Sequence, residues 1–209
     1  MFSLQRFLSR DDKFYDLMEG SAEEARAAIQ GLVNLVRTRQ PQGNLDTFAA
    51  ARRQEKRLSV ELTEELCRTF VTPLEREDIE ALSHALYKIP KTAEKFGERY
   101  VLAGSAAREL DLLRHADLLE QASSLIVPMV KELRSGVELQ KVKHQHLQLQ
   151  QIEGEGDKLM LQSLHLLFEQ KTDPFAVMLL KDLLELLEKT LDRCRDAGNV
   201  VFSIILKHS

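Results

Sequence analysis

Acidic side chains four residues apart on a helix share one face, one turn apart, and this 209-residue chain carries two such pairs in its second half. Glu153 and Asp157 form one; Glu188 and Asp192 form the other, and Asp196 extends the second stripe by a further turn. If the two segments are antiparallel neighbours, four carboxylates converge. Carboxylates gathered away from water repel one another, so some must protonate or take up cations. Oxygen-only ligation suits hard or intermediate ions such as Mg²⁺, Mn²⁺, Ca²⁺ or iron. The competing reading is a solvated acidic face. Against it, Leu159, Leu164, Leu184 and Leu191 mark the apolar sides of the same segments, and the acids lie beside that stripe rather than opposite it.

Helices must position these groups. Apolar residues recur at helical spacing almost throughout, with no alternating strand pattern, which predicts an all-α fold of six helices. The first runs over about 11–39, with Phe14, Leu17, Ala25, Ile29, Leu32 and Val36 inward, and Pro41-Gln42-Gly43 stops it. The second covers about 45–71. Thr72-Pro73 is expected to open the third as N-cap and first helical residue, with Glu75, Glu77 and Asp78 suiting its positive end, and Pro90 to kink or end it. The fourth spans about 105–134 with Pro128 late in it, the fifth 137–170, and Asp173-Pro174 caps a sixth that reaches the C-terminus.

A shift of 101 residues aligns Pro73 with Pro174 and pairs Leu58 with Leu159, Leu66 with Leu167, Ile79 with Leu180, Leu82 with Leu183 and Leu86 with Leu187. Such matches on two successive helices and the proline between them predict two tandem three-helix bundles, 1–104 and 105–209. The same shift carries the acids onto Arg52, Lys56, Tyr87, Lys91 and Lys95. Four cations and a phenol make no cation site. They suit an anion, an acidic partner, or the neighbouring Glu55 and Glu94; a solvated basic face is the alternative.

The segment Thr72-Pro73-Leu74-Glu75-Arg76-Glu77-Asp78-Ile79 resembles the TP-x-x-REDI signature of PhoU-like phosphate transport regulators commonly encoded beside Pit-type transporters. The stretches Ile152-Glu153-Gly154-Glu155-Gly156-Asp157 and Leu187-Glu188 through Asp192 resemble that family's C-terminal acidic motifs, and 11–37 its opening helix. The resemblance implies paired three-helix bundles, a divalent or ferric ion (iron, Mn, Mg or Zn) on Glu153, Asp157, Glu188, Asp192 and Asp196, and a Pit-type phosphate transporter as partner. It also implies peripheral membrane contact through that partner; a homo-oligomer is a further expectation. Arg52, Lys56, Lys91 and Lys95 depart from the acidic pattern, so the expected metal site is confined to the second half.

Composition narrows the classes. A formal charge of −4 offers no broad attraction to nucleic acid. No apolar run approaches the ~18–20 residues of a membrane helix, and Met1 to Leu8 lacks a signal-peptide core, so the expected location is the cytoplasm. Two isolated cysteines, Cys67 and Cys194, form no disulfide framework and are expected as small core residues. His144, His146 and His165 are expected on the surface and His84 partly buried. The leading expectation is a regulatory accessory protein rather than an enzyme. The rivals are a di-metal carboxylate enzyme in a helical bundle and a metal-free adaptor. The enzyme class commonly uses Glu-x-x-His, but three residues after Glu153 and Glu188 stand Gly156 and Leu191.

Overall fold

The computed structural model describes residues 3–39, 45–135, 138–169 and 173–209. Among them stand six α-helices and no strand: α1 (Ser3–Thr38), α2 (Asp46–Arg68), α3 (Arg76–Ala103), α4 (Leu113–Ser135), α5 (Leu139–Glu169) and α6 (Pro174–Lys207), with a 3₁₀ turn at Ala106–Glu109 before α4. The all-α expectation holds. Four helices, α1, α3, α4 and α6, make the centre; among the described residues α2 packs on α1 and α3 alone, and α5 on α4 and α6 alone. Apolar residues of all six form one continuous core.

The central contacts follow from which faces are apolar and small. On α1, Phe14, Met18, Ala22, Ala25, Ile29 and Leu32 are buried at three- and four-residue spacing, the stripe that a helix buries on neighbours. Charged residues fasten the rims. Arg134 of α4 reaches Asp16, Glu19 (2.8 Å) and Asp12 (3.4 Å) of α1, and Arg37 of α1 reaches Asp117 (2.8 Å) and Glu120 (2.7 Å) of α4. Each exposed pair contributes about 1 kcal/mol at most, so burial rather than charge holds the helices together. Gly97 of α3 lies against Phe48 of α2, and Gly198 of α6 against Leu149 of α5. A side chain at Gly198 would stand 2.4 Å from Leu149 Cδ1. The two glycines are 101 apart, as are their partners, so each outer helix approaches its central neighbour at the same register.

Several ends differ from the sequence reading. The first helix starts earlier, at Ser3, and its expected stop at 41–43 lies outside the described residues. Thr72-Pro73 does not open α3, which begins at Arg76 after Glu75. The Thr72 hydroxyl donates to the Leu74 carbonyl (2.7 Å) instead of accepting a helix amide. The Arg76 guanidinium donates to the carbonyls of Leu66 (2.6 Å) and Thr69, satisfying the otherwise orphaned end of α2. Pro90 does not end α3, which runs on to Ala103. The fourth helix starts later than expected, because the chain turns at Gly104 (φ 56°) and enters α4 only after Asp111, whose carboxylate accepts from the Leu113 amide (3.3 Å). Asp173 does cap α6, accepting from the Ala176 amide at 3.1 Å with Pro174 at the first turn.

Candidate functional site

Where α5 crosses α6, Gly156 lets Leu191 pack onto the α5 backbone; a side chain at Gly156 would stand 2.3 Å from Leu191 Cδ2. This close approach puts the acidic pairs of both helices at one level. Glu153, Glu188, Asp192 and Asp196 are half-buried and Asp157 is exposed. Burial raises the Glu188 carboxyl above its ordinary value, and Asp192, Asp157 and Glu153 raise it further, in that order. Glu153 and Asp192 are likewise raised, by burial first. The acids of the two pairs therefore act on one another electrostatically across the α5–α6 seam.

An arginine sits among them. The Arg195 guanidinium contacts Glu153 across the helix seam and lies 3.3 Å from Asp192 and 3.2 Å from Asp196. Asp196 also pairs with Arg193 at 2.9 Å. Among the described residues no three carboxylate, imidazole or thiol groups come together as metal ligands. The oxygen donors suit a hard cation chemically, and the guanidinium supplies positive charge to the same oxygens.

In the first half three of the shifted positions, Arg52, Tyr87 and Lys91, come together. Arg52 of α2 stacks over the Tyr87 ring of α3, its guanidinium carbon 4.0 Å from the centroid, and its Nη2 donates to the Tyr87 hydroxyl. Its Nε lies 3.8 Å from Glu94 and its Nη1 3.9 Å from Glu55. Lys91 Nζ lies 5.8 Å from the same ring, and Lys56 is exposed. Lys95 does not join them: it lines a separate groove of about 460 Å³ between α3 and α6, facing Glu185 and Lys189. Glu153–Arg195 and Arg52–Glu94 are related by the 101-residue shift with their charges exchanged. Glu55, at 0% exposure, accepts from Ser21 (3.2 Å) while its other oxygen has no hydrogen-bond partner. Burial pushes its carboxyl up to about 7.

No family model matches the chain. It is 26% identical to the UPF0111 protein YkaA of Bacillus subtilis over 148 residues, 71% of this chain and 72% of that one. It is 23% identical to a Rhizobium meliloti protein named as a candidate pit accessory protein, over 98% of this chain and 97% of the relative. Among solved structures it is similar to a PhoU-like protein from Shewanella oneidensis, with a TM-score of 0.73, 19% identity, and coverage of 93% of this chain and 99% of the other. The chain has a PhoU-like fold. It is also similar to a second Shewanella oneidensis protein, named as a candidate PhoU-like phosphate regulatory protein (TM-score 0.67, 18% identity, 95% and 99% covered). A third likeness is to PhoU from Pseudomonas aeruginosa (TM-score 0.55, 18% identity, 99% and 98% covered).

Within this PhoU-like fold the signature segment is structural. Arg76 caps α2, and Asp78, buried to 8% exposure, receives Lys207 from the end of α6 at 2.8 Å. Several expectations need correction. Cys67 is exposed, although its neighbours Glu65 and Leu66 in the last turn of α2 are buried; Cys194 is buried and its thiol is pushed up to about 12. His84 is exposed on α3. His146 is half-buried and stacks on Phe202 of α6, ring centroids 4.3 Å apart. His144 and His165 are exposed as expected. Sequence reasoning missed Arg195, although it falls within the acidic stripe of α6, and His115, the 101-residue mate of the buried Phe14. His115 is buried to 5% exposure with neither ring nitrogen hydrogen-bonded, and burial lowers its pKa to about 4.

Proposed function

We propose that the chain is a cytoplasmic regulatory accessory of a Pit-type phosphate transporter. The observation that carries this reading is an end-to-end relation: the match to the Rhizobium meliloti protein named as a candidate pit accessory spans nearly the whole of both chains. Likeness to the Shewanella oneidensis protein named for phosphate regulation points the same way. No helix among the described residues is long and apolar enough to cross a membrane, so any action on a transporter runs through its exposed surface. The direct test expresses a Pit-type transporter with and without this chain and measures phosphate uptake and copurification. A change in uptake with retention of the chain on the transporter supports the role; unchanged uptake and no retention removes it.

The acidic site is the regulatory element in this reading. Glu153, Asp157, Glu188 and Asp192, with Asp196 at the margin, would hold a divalent or ferric ion, which supplies fixed positive charge in place of the Arg195 guanidinium. Tag-free protein is expected to contain metal, and added ion is expected to raise the melting temperature, because a ligand that binds only the folded state stabilises it. Asp157→Ala, an exposed position, is expected to abolish that response without unfolding the protein. A melting temperature indifferent to Mn²⁺, Mg²⁺, Zn²⁺ and iron would leave Arg195 as the permanent occupant.

A further inference from the structure

We propose that the groove between α2 and α3 binds a small tetrahedral oxyanion of the inorganic phosphate class. Arg52, Lys56, Ser59 and Thr63 follow one another at four-, three- and four-residue spacing on α2, and Glu80, His84, Tyr87 and Lys91 do the same on α3. Such spacing keeps each set on one helix face. The faces meet along a groove of about 400 Å³ lined by Ser59, Leu62, Thr63, Glu80, Ser83, His84 and Tyr87. The Ser59 and Ser83 hydroxyls lie 3.4 Å apart, either able to donate. Lys56 and Lys91 have no carboxylate partner among the described residues, and the Arg52 ion pairs, at 3.8 and 3.9 Å, are too long to use its N–H groups as hydrogen bonds.

The repeat shows what these groups replace. At the 101-residue shift, Ser59, Thr63 and Ser83 stand where α5 and α6 carry Met160, Leu164 and Leu184. Where the second half carries apolar side chains, the first carries hydroxyls, which bury less apolar surface. Hydroxyl and imidazole donors line the groove, and Arg52 and Lys91 stand against Tyr87 at one end of it; together they form a recognition set for an oxyanion, whose several acceptors take charge-assisted bonds. Glu80 at one end repels an anion and Arg52, Lys56 and Lys91 at the other attract it, so the ligand sits toward the cationic end. This inference stands on the groove alone, apart from the transporter reading and the acidic site.

Titration of the full chain with inorganic phosphate at low salt, followed by amide NMR, tests it. Shifts confined to the α2–α3 groove are expected, and sulfate should compete. Lys56→Ala/Lys91→Ala, both exposed positions, should weaken binding about tenfold or more with an unchanged circular dichroism spectrum. Vesicles containing phosphatidic acid form a second arm: cosedimentation lost in the double variant would assign the groove to a phosphorylated headgroup, and phosphate binding without cosedimentation assigns it to the free ion. Shifts scattered over all basic surfaces that survive the double substitution overturn the proposal, as does binding in neither arm.

Discussion

Glu55 and His115 make opposing contributions to the pH dependence of stability, and single substitutions should unmask them. Glu55 is buried beside Ser21 with one oxygen unpartnered, and desolvation lifts its carboxyl from 4.5 to about 7. Between those values the folded state holds a proton that the unfolded chain has lost, so stability falls as pH rises through the window. His115 is displaced the other way, from 6.5 to about 4, again by desolvation. Its contribution is present above 6.5 and is lost as pH falls toward 4. At about 1.4 kcal/mol per tenfold, each displacement is worth about 3 kcal/mol. The windows overlap and the slopes oppose, so between about pH 4.5 and 6.5 the two largely cancel. Glu55→Gln should make stability climb by about 3 kcal/mol, relative to the parent protein, from pH 4.5 to 7.5. His115→Phe, which installs the residue found at its mate Phe14, should make it fall by a similar amount over pH 4 to 6.5. Urea unfolding at four pH values, followed by circular dichroism, reads both. Curves for the two variants that run parallel to the parent would show that neither group is desolvated as the structure has it.

Two further outcomes concern single groups. Under native conditions a thiol reagent should label Cys67 and leave Cys194 unmodified, because the second thiol is buried and its pKa stands near 12; denaturant should release the second equivalent. Arg76→Ala should lower stability by about 2 kcal/mol, since it strips donors from the Leu66 and Thr69 carbonyls at the end of α2; a loss below about 0.5 kcal/mol in urea unfolding would mean that water replaces them.

Helix number and inward faces were legible because a 3.6-residue period is written locally in apolar residues such as Phe14, Leu17, Ile29 and Leu32. Two helix starts were not, because distant or side-chain contacts decide them. Thr72-Pro73 carries the local signature of a helix start, yet Arg76 reaches back to α2 and holds that stretch as a loop. That the two acidic pairs act on one another was legible from four-residue spacing on adjacent helices. The place of Arg195 was not: its partner Glu153 lies 42 residues away, and nothing in the local sequence says that a cation beside Asp196 turns inward rather than to water. Exposure of Cys67 and His84 escaped prediction because each sits one residue from a buried neighbour, Leu66 and Ser83, and which side of that boundary faces water is a property of the assembled bundle.

The exchanged ion pairs bear on what the two grooves are for. Glu153–Arg195 and Arg52–Glu94 each join an outer helix to a central one at matching registers, so the structural device is kept while its polarity is reversed. The mechanical need for a crossing pair is met by either order of charges, and partly exposed pairs of this kind contribute about 1 kcal/mol at most in either order. Stability therefore does not choose the polarity. Around each pair the surplus has the sign of the outer-helix member: Asp157, Glu188 and Asp192 beside Glu153, Lys56 and Lys91 beside Arg52. On the same helices the second half carries Met160, Leu164 and Leu184 where the first carries the hydroxyls of Ser59, Thr63 and Ser83. Hydroxyls can serve either sign, but cations beside donors favour an anion, and carboxylates beside leucines leave only oxygen acceptors for a cation. On the two proposals made above, opposite ligand preferences would follow from one helix-pair geometry by changing the side chains along its seam.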